Sequence, residues 1–189
     1  MRKIPTLFQR NRSPVNPMTS LVNPECQWVL EGEGVPTAKW DGTACLYLEG
    51  RLYKRHTIQA HDPLDPLDYP ADWLPAQPMP DPHTLKHPGW MPVTDGPDDK
   101  WHRTGLRRAG PMRESQTYEL CGPKINGNRH QLDRIMLIEH GVHPIMSNPR
   151  TYAEILEWLT QDKLYEGIVW HHPDGRMAKV KKRDFRIPW

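Results

Sequence analysis

Apolar and polar residues alternate in short runs along most of the chain, and the dominant period is that of strands. Residues 27–31 read as a strand, and a second follows over 36–40 after Gly32 to Gly34. Residues 45–48 and 51–55 are joined by Glu49-Gly50, a two-residue connection in which glycine tolerates positive φ, so they predict a hairpin. Residues 116–121 return to strand character and stop at Gly122-Pro123. The period changes over 131–140, where Leu132, Ile135, Met136 and Glu139 recur at helical spacing and Gly141 supplies a stop. A second helix is predicted from Thr151. There Thr-Tyr-Ala-Glu154 forms a capping box after Pro149, and Ile155, Leu156 and Leu159 form the stripe to be buried. Residues 166–170 and 177–182, with a turn at Pro173-Asp174-Gly175, predict a closing hairpin. Strands at both ends with helices between them indicate an α+β chain rather than alternating α/β, and no repeat at solenoid spacing is present.

Proline alters this picture in one place. Nine of the 31 residues at 62–92 are proline, which predicts neither a helix nor an interior strand there. The same tract holds Trp73 and Trp90, so it is expected to be a stiff loop packed on the body, within a single domain of 189 residues. Eight tryptophans and 37% apolar residues exclude a disordered chain. A net charge of +2 excludes a binder held by bulk charge, so any contact with a polyanion must come from local patches. No run approaches the ~20 apolar residues of a membrane span. Cys26, Cys45 and Cys121 form no C-x-x-C pair and are expected to be free, buried thiols in a reducing compartment. The first ten residues lack the apolar core of a secretory signal, so a cytoplasmic location is expected.

Three segments place charge inside apolar, strand-like sequence: Lys39-Trp-Asp-Gly42, Glu166-Gly-Ile-Val-Trp170 and Lys179-Val-Lys181. Residues two apart on a strand share a face, which puts Lys39 with Asp41 and Lys179 with Lys181. Charge on the inner face of a sheet is costly unless partners or a ligand meet it. A lysine crowded by other cations has a lowered pKa, and its amine becomes a nucleophile near neutral pH. Any one of these segments reads as solvated surface; their combination and order do not.

Lys39-Trp-Asp-Gly42 resembles the K-x-D-G nucleotidyl-lysine motif of the ligase and capping-enzyme superfamily. Tyr118-Glu-Leu-Cys-Gly122 resembles its third motif, Glu166-Gly-Ile-Val-Trp170 its fourth and Lys179-Val-Lys181 its fifth. Within that superfamily the chain resembles the small ATP-dependent RNA ligase 1 family of 5′-to-3′ RNA ligases. The likeness runs from about Leu7 to Trp189 and includes His87-Pro-Gly-Trp-Met-Pro-Val93 and the segment from Asp174 to Phe185.

The resemblance implies an α+β nucleotidyltransferase catalytic domain with two antiparallel sheets, flanking helices and an ATP cleft between the sheets. It implies three steps: Lys39 attacks the α-phosphate of ATP, AMP passes to the 5′-phosphate of an RNA end, and a 3′-hydroxyl displaces AMP to seal the strand in RNA repair. Lys179 and Lys181 would neutralise phosphate charge, Glu119 would hold the ribose hydroxyls, and Glu166 would position Mg²⁺, or Mn²⁺ in its place, with Glu119 as a further metal candidate. Asp41 and Gly42 complete the nucleotide motif. Arg55, with Lys54 next, is the candidate grip on phosphate, and Trp170 the candidate surface for the adenine. Only eight residues follow Lys181, too few for the OB domain that many of these ligases carry, since a domain needs roughly 50 residues.

RNA with 5′-phosphate and 3′-hydroxyl ends would then be held by the core itself, acting as a monomer. The candidate surfaces are residues 100–113, with Arg103, Arg107, Arg108 and Arg113, and Lys181 to Arg183 with Arg186; Trp101 and Trp189 would stack bases. Two other readings compete. The lysine would pass adenylate or guanylate to a DNA end, an RNA cap or a protein, or the chain would bind RNA ends without catalysis. His83, His87 and the pair His171-His172 are not expected to bind metal, and Asn126-Gly127-Asn128 reads as a turn.

Overall fold

The computed structural model of the protein describes residues 3–11, 18–60, 68–162 and 164–189. In chain order its regular elements are β1 (Phe8–Arg10), β2 (Met18–Val22), β3 (Val35–Lys39), β4 (Thr43–Leu48), β5 (Arg51–Gln59), β6 (Leu74–Pro75) and β7 (Lys86–Pro92). These are followed by α1 (Lys100–Arg108), β8 (Gln116–Cys121), β9 (Met136–Glu139), α2 (Tyr152–Gln161), β10 (Gly167–His171) and β11 (Met177–Lys181). Strands outnumber helices among the described residues, and every strand pair is antiparallel. The chain divides into two compact units, one built on Gly42–His140 and the other on Ile4–Asp41 with Gly141–Trp189.

The first unit is a six-stranded sheet in the order β6-β7-β5-β4-β8-β9. The predicted β4–β5 hairpin is present, with Leu48 opposite Arg51 and both turn residues, Glu49 (φ 50) and Gly50 (φ 73), in the left-handed region that such a two-residue turn requires. On one face Cys45, Leu52, Tyr118 and Leu120 are buried with Ile135, under Trp101 and Leu106 of α1. The sequence reading had no helix at α1. Gly105 lets the helix sit close, because a Cβ there would collide with Leu120 and crowd Leu137.

The proline tract contains an interior strand after all. β7 pairs with β5 along its length and with β6 at Trp90 and Gly89. Residues of odd number bond toward β5: Ala60 N donates to Leu85 O and Val93 N to Leu52 O. Lys86 and Pro88 instead present their carbonyls to Asp81 N and Ala76 N on the other side. Pro88 and Pro92 share that parity, so their missing N–H groups fall on the side covered only by the two-residue β6. The aromatic packing expected of the tract is present: Trp73 lies tilted against Tyr69, meets His87 edge-on and covers Gly89, where any side chain would strike its ring. Residues 61–67, including Pro63 and Pro66, lie outside the described residues.

The helix read at 131–140 is instead β9, preceded by a loop in which Lys124, Asn126, Gly127, Asn128 and Gln131 all have positive φ. Gln131 takes the first position of the apparent helix out of helical backbone, residues 131–135 stay irregular, and Met136–Glu139 completes the sheet edge beside β8. Glu139 therefore lies on a strand, paired with Arg113, rather than on a helix face.

Asp99 is buried at the start of α1, where it accepts bonds from Thr94 N (2.8 Å), Thr94 Oγ1 (2.9 Å) and Lys54 Nζ (2.6 Å). His102 sits 3.8 Å from that carboxylate with both ring nitrogens buried. Burial pushes its pKa down, with Lys54 adding to the effect and Asp99 opposing it. The ring is thus favoured neutral in the fold, and stability falls as pH drops below about 6.5, where the unfolded chain takes up the proton first. Melting curves at pH 7 and pH 5 should show a smaller acid loss for His102→Phe than for the wild type.

In the second unit, β10 lies between β11 and β3. The free edges of this small sheet are covered: Leu7 N donates to Lys179 O and Lys179 N to Pro5 O on one side, and Ala38 N donates to His143 O and Ile145 N to Pro36 O on the other. Ile168, Trp170, Ala178 and Val180 form its buried face, against Leu7, Phe8, Trp28, Val29, Ile155 and Leu159. α2 begins at the predicted capping box, with Glu154 N donating to Thr151 Oγ1 and Thr151 N to Glu154 Oε2. Ile155 and Leu159 are fully buried, whereas Leu156 is 36% exposed and Trp158 and Tyr152 complete the packing. Residues 24–29 form a 3-10 helix rather than a strand, because Pro24 starts a helical turn and Trp28 and Val29 bury from successive positions.

Candidate active site

The register of the three-stranded sheet gathers the lysines. Gly167 lies opposite Lys39 on one side and Lys181 on the other, and Val169 lies between Thr37 and Lys179. Alternation therefore puts Lys39, Lys179 and Lys181 on one face, while Ala38, Ile168 and Val180 point to the core. Gly167 has to be glycine: a Cβ would strike the Val180 carbonyl oxygen.

Glu166, one residue before β10, ties the row together. Its backbone N donates to Lys39 O (2.9 Å), and its carbonyl accepts from Lys182 N (2.9 Å). Its buried carboxylate accepts from Lys39 Nζ at one oxygen and from Lys181 Nζ (2.7 Å) at the other. Burial alone would raise the Glu166 pKa, but the charges of Lys39 and Lys181 and their hydrogen bonds outweigh it and hold the group below the ordinary carboxylate range. The opposite holds for Lys179, whose side-chain amine makes no hydrogen bond or ion pair to a described residue. Burial and then the charges of Lys181 and Lys39 bring it down to about 8, against the pull of Glu166 and Asp184. Lys181 is also lowered, by burial first and then by Lys39.

β3 ends at Lys39, so Asp41 does not share its face by strand alternation. Trp40 packs edge-on against His143 and Tyr165, and the Asp41 carboxylate accepts from Trp189 Nε1 (3.1 Å). The Trp189 ring lies under Lys182 Nζ (4.4 Å). Lys182 is 2% exposed and Trp189 is engaged by Asp41, so these two pack beside Asp41 rather than form an open surface. Trp170 is fully buried in the core on the face opposite the lysines and is not brought to them. Its sequence signal was ambiguous because strand cores and stacking platforms both use tryptophan.

The first unit carries the other candidates. Gly42 N donates to Glu119 Oε1 (3.0 Å), and a Cβ on Gly42 would strike the Leu120 carbonyl oxygen. Cys45 pairs with Lys54 and with Tyr118, and Ala44 with Glu119, so Ala44, Glu119 and Arg55 share one face of the sheet and Lys54 the other. The Arg55 guanidinium lies over Trp90 at 4.6 Å, and burial lowers its pKa while Glu119 opposes that shift. Lys54 is committed to Asp99 on the α1 face. Among the arginines proposed for RNA, Arg103 donates to Thr94 O and to Gly96 O (2.7 Å), and Arg113 pairs with Glu139 (2.8 Å). Arg107 and Arg108 remain exposed, and Trp101 packs in the core.

No group of three His, Cys, Asp or Glu residues that could hold a metal occurs among the described residues. Both Glu166 oxygens are taken by ammonium groups and both Glu119 oxygens by N–H donors.

Sequence reasoning missed His140, whose Nε2 meets Glu119 Oε2 at 2.9 Å. Reading 131–140 as a helix hid it; as a strand paired with β8, its position beside Thr117 and Glu119 follows from the register.

Two kinds of similarity to known proteins bear on this arrangement. The family model for RNA ligase 1 matches residues 108–189, a segment that includes Glu119, Glu166, Lys179 and Lys181 but not Lys39. Relatives named RNA ligase 1 extend the likeness. The Danio rerio protein is 31% identical over 144 residues, covering 59% of this chain and 44% of that protein. The Pongo abelii protein is 30% identical over 162 residues and the Mus musculus protein 28% over 160, each covering 64% of this chain and 49% of the relative. The chain thus resembles the RNA ligase 1 family, as its motifs indicate, and spans a little under half the length of these relatives. No helix among the described residues is long and apolar enough to cross a membrane.

Proposed function

We propose that the chain is an ATP-dependent RNA ligase with a nucleotidyltransferase fold that works through a covalent Lys39–AMP intermediate. The observation that carries this reading is the single row Lys39–Gly167–Lys181, with Glu166 bound to both amines and Lys179 on the same face. In the first step the neutral amine of Lys39 forms a P–N bond to the α-phosphorus of ATP as the bond to pyrophosphate breaks. In the second, the 5′-phosphate of an RNA end takes the AMP and the lysine is released. In the third, a 3′-hydroxyl attacks that phosphate, forming the phosphodiester and expelling AMP.

Each residue has a physical task in this scheme. Glu166, held anionic, accepts a hydrogen bond from the Lys39 amine and aims it. Lys181 and Lys179 offer positive charge where charge develops on the phosphates. Arg55 supplies a further cation for phosphate, and Glu119, fixed on the same face as Arg55, accepts from ribose hydroxyls. Intact-mass measurement after incubation with ATP and magnesium should find one added AMP, and a nicked RNA duplex should be sealed in preference to its DNA counterpart. Absence of any adduct would overturn the reading. An adduct without RNA sealing would favour transfer to another acceptor.

A further inference from the structure

We infer that His140 is a positioning residue: it fixes the Glu119 carboxylate for the ribose hydroxyls of the nucleotide. This rests on the proposed role of Glu119. The geometry is a short relay on one face of the six-stranded sheet. Thr117 and Glu119 are two apart on β8 and project together. His140 directly follows β9, with its backbone N donating to Thr117 O (3.1 Å) and its carbonyl accepting from Gln116 Nε2 (3.2 Å). Both ring nitrogens are engaged: Nε2 with Glu119 Oε2 (2.9 Å) and Nδ1 with Thr117 Oγ1 (2.9 Å). A carboxylate only accepts, so Nε2 carries the hydrogen; in the neutral ring Nδ1 is then the acceptor and the Thr117 hydroxyl the donor. The Glu119 carboxylate is therefore gripped at both oxygens, by His140 at Oε2 and by Gly42 N at Oε1.

A carboxylate has about four acceptor sites, so roughly two remain for hydroxyl groups, in an orientation set by the two fixed donors. The grip also joins two parts of the sequence that the nucleotide motif brings to one carboxylate, Gly42 after β3 and His140 after β9. Neither residue is read as touching the phosphates. The effect of His140 should thus be confined to the sugar.

The test compares ATP with 2′,3′-dideoxy-ATP, which keeps the reacting phosphates and lacks both hydroxyls. With the wild type, His140→Leu and His140→Gln, adduct formation is followed by intact mass over a range of nucleotide concentrations, with melting curves to establish folding. His140→Leu should raise KM for ATP about tenfold, the order expected for losing a hydrogen bond to a charged group, at an unchanged limiting rate. It should leave KM for the dideoxy nucleotide unchanged. His140→Gln keeps an N–H donor at similar reach and should recover much of the ATP affinity. An equal rise for both nucleotides, a fall in the limiting rate alone, or no change would overturn the inference. If the wild type forms no adduct, the ligase reading fails separately. The inference is then judged by calorimetric binding of the two nucleotides to wild type and His140→Leu, where loss of ATP preference supports it and equal behaviour overturns it.

Discussion

Lys39→Arg is expected to remain folded and to form no nucleotide adduct, a loss on the order of 10³-fold or more, as for removal of other enzymic nucleophiles. The two demands on this position are separable. Structurally, a cation at Lys39 neutralises Glu166, and a guanidinium does so with two parallel N–H donors. Chemically, the group must shed a proton to expose a lone pair, and a guanidinium does not do so in water at any pH the fold survives. Thermal melting should therefore stay within a few degrees of the wild type while the mass adduct disappears. Lys39→Ala removes the cation as well and leaves Glu166 with Lys181 alone, so it should lose the adduct and melt lower, since breaking a buried pair costs up to about 3–5 kcal/mol when fully enclosed. An adduct that persists in Lys39→Arg would move the nucleophile to Lys179 or Lys181, the other amines on that face.

That Lys179 and Lys181 share a face was legible from sequence because it needs only strand alternation; that Lys39 joins them depends on the pairing of β3 and β11 with β10, and the expected partnership of Lys39 with Asp41 fails because β3 ends at Lys39. The β4–β5 and β10–β11 hairpins and the cap at Thr151 were legible because their signals are local. What was lost depends on distant partners. The helically spaced residues from Leu132 to Glu139 run from a loop into β9, and its neighbour β8 and the positive-φ positions before it decide for a strand. β7 survives two prolines only because β6 leaves most of one side of it unpaired, a fact invisible in the tract itself. The roles read for Trp170 and Lys182 depended on which face of an element is buried, and both side chains proved to be inside.

Lys179→Met is expected to move stability and activity in opposite directions. In the fold the Lys179 amine is brought down to about 8 by burial and by Lys181 and Lys39, well under the ~10.4 of an exposed lysine. A base whose pKa falls on folding destabilises the fold wherever it is charged in both states, below about pH 8. The penalty is relieved as pH rises from there toward the ordinary lysine range, because the folded form loses its proton first. Methionine keeps the length and apolar stem and removes the charge. At pH 7 the variant should gain on the order of 1 kcal/mol, seen as roughly 2–4 °C in Tm, and the gain should shrink by pH 10. The same charge is what the proposed chemistry uses on the nucleotide phosphates, so the single-turnover rate of adduct formation should fall about 10²–10³-fold. A side chain kept at a cost to the fold is the expected mark of a functional site rather than of packing. Should Lys179→Met melt below the wild type at pH 7, the cation would be stabilising the sheet through Glu166 and Asp184. Its place on the lysine face would then need no ligand to account for it.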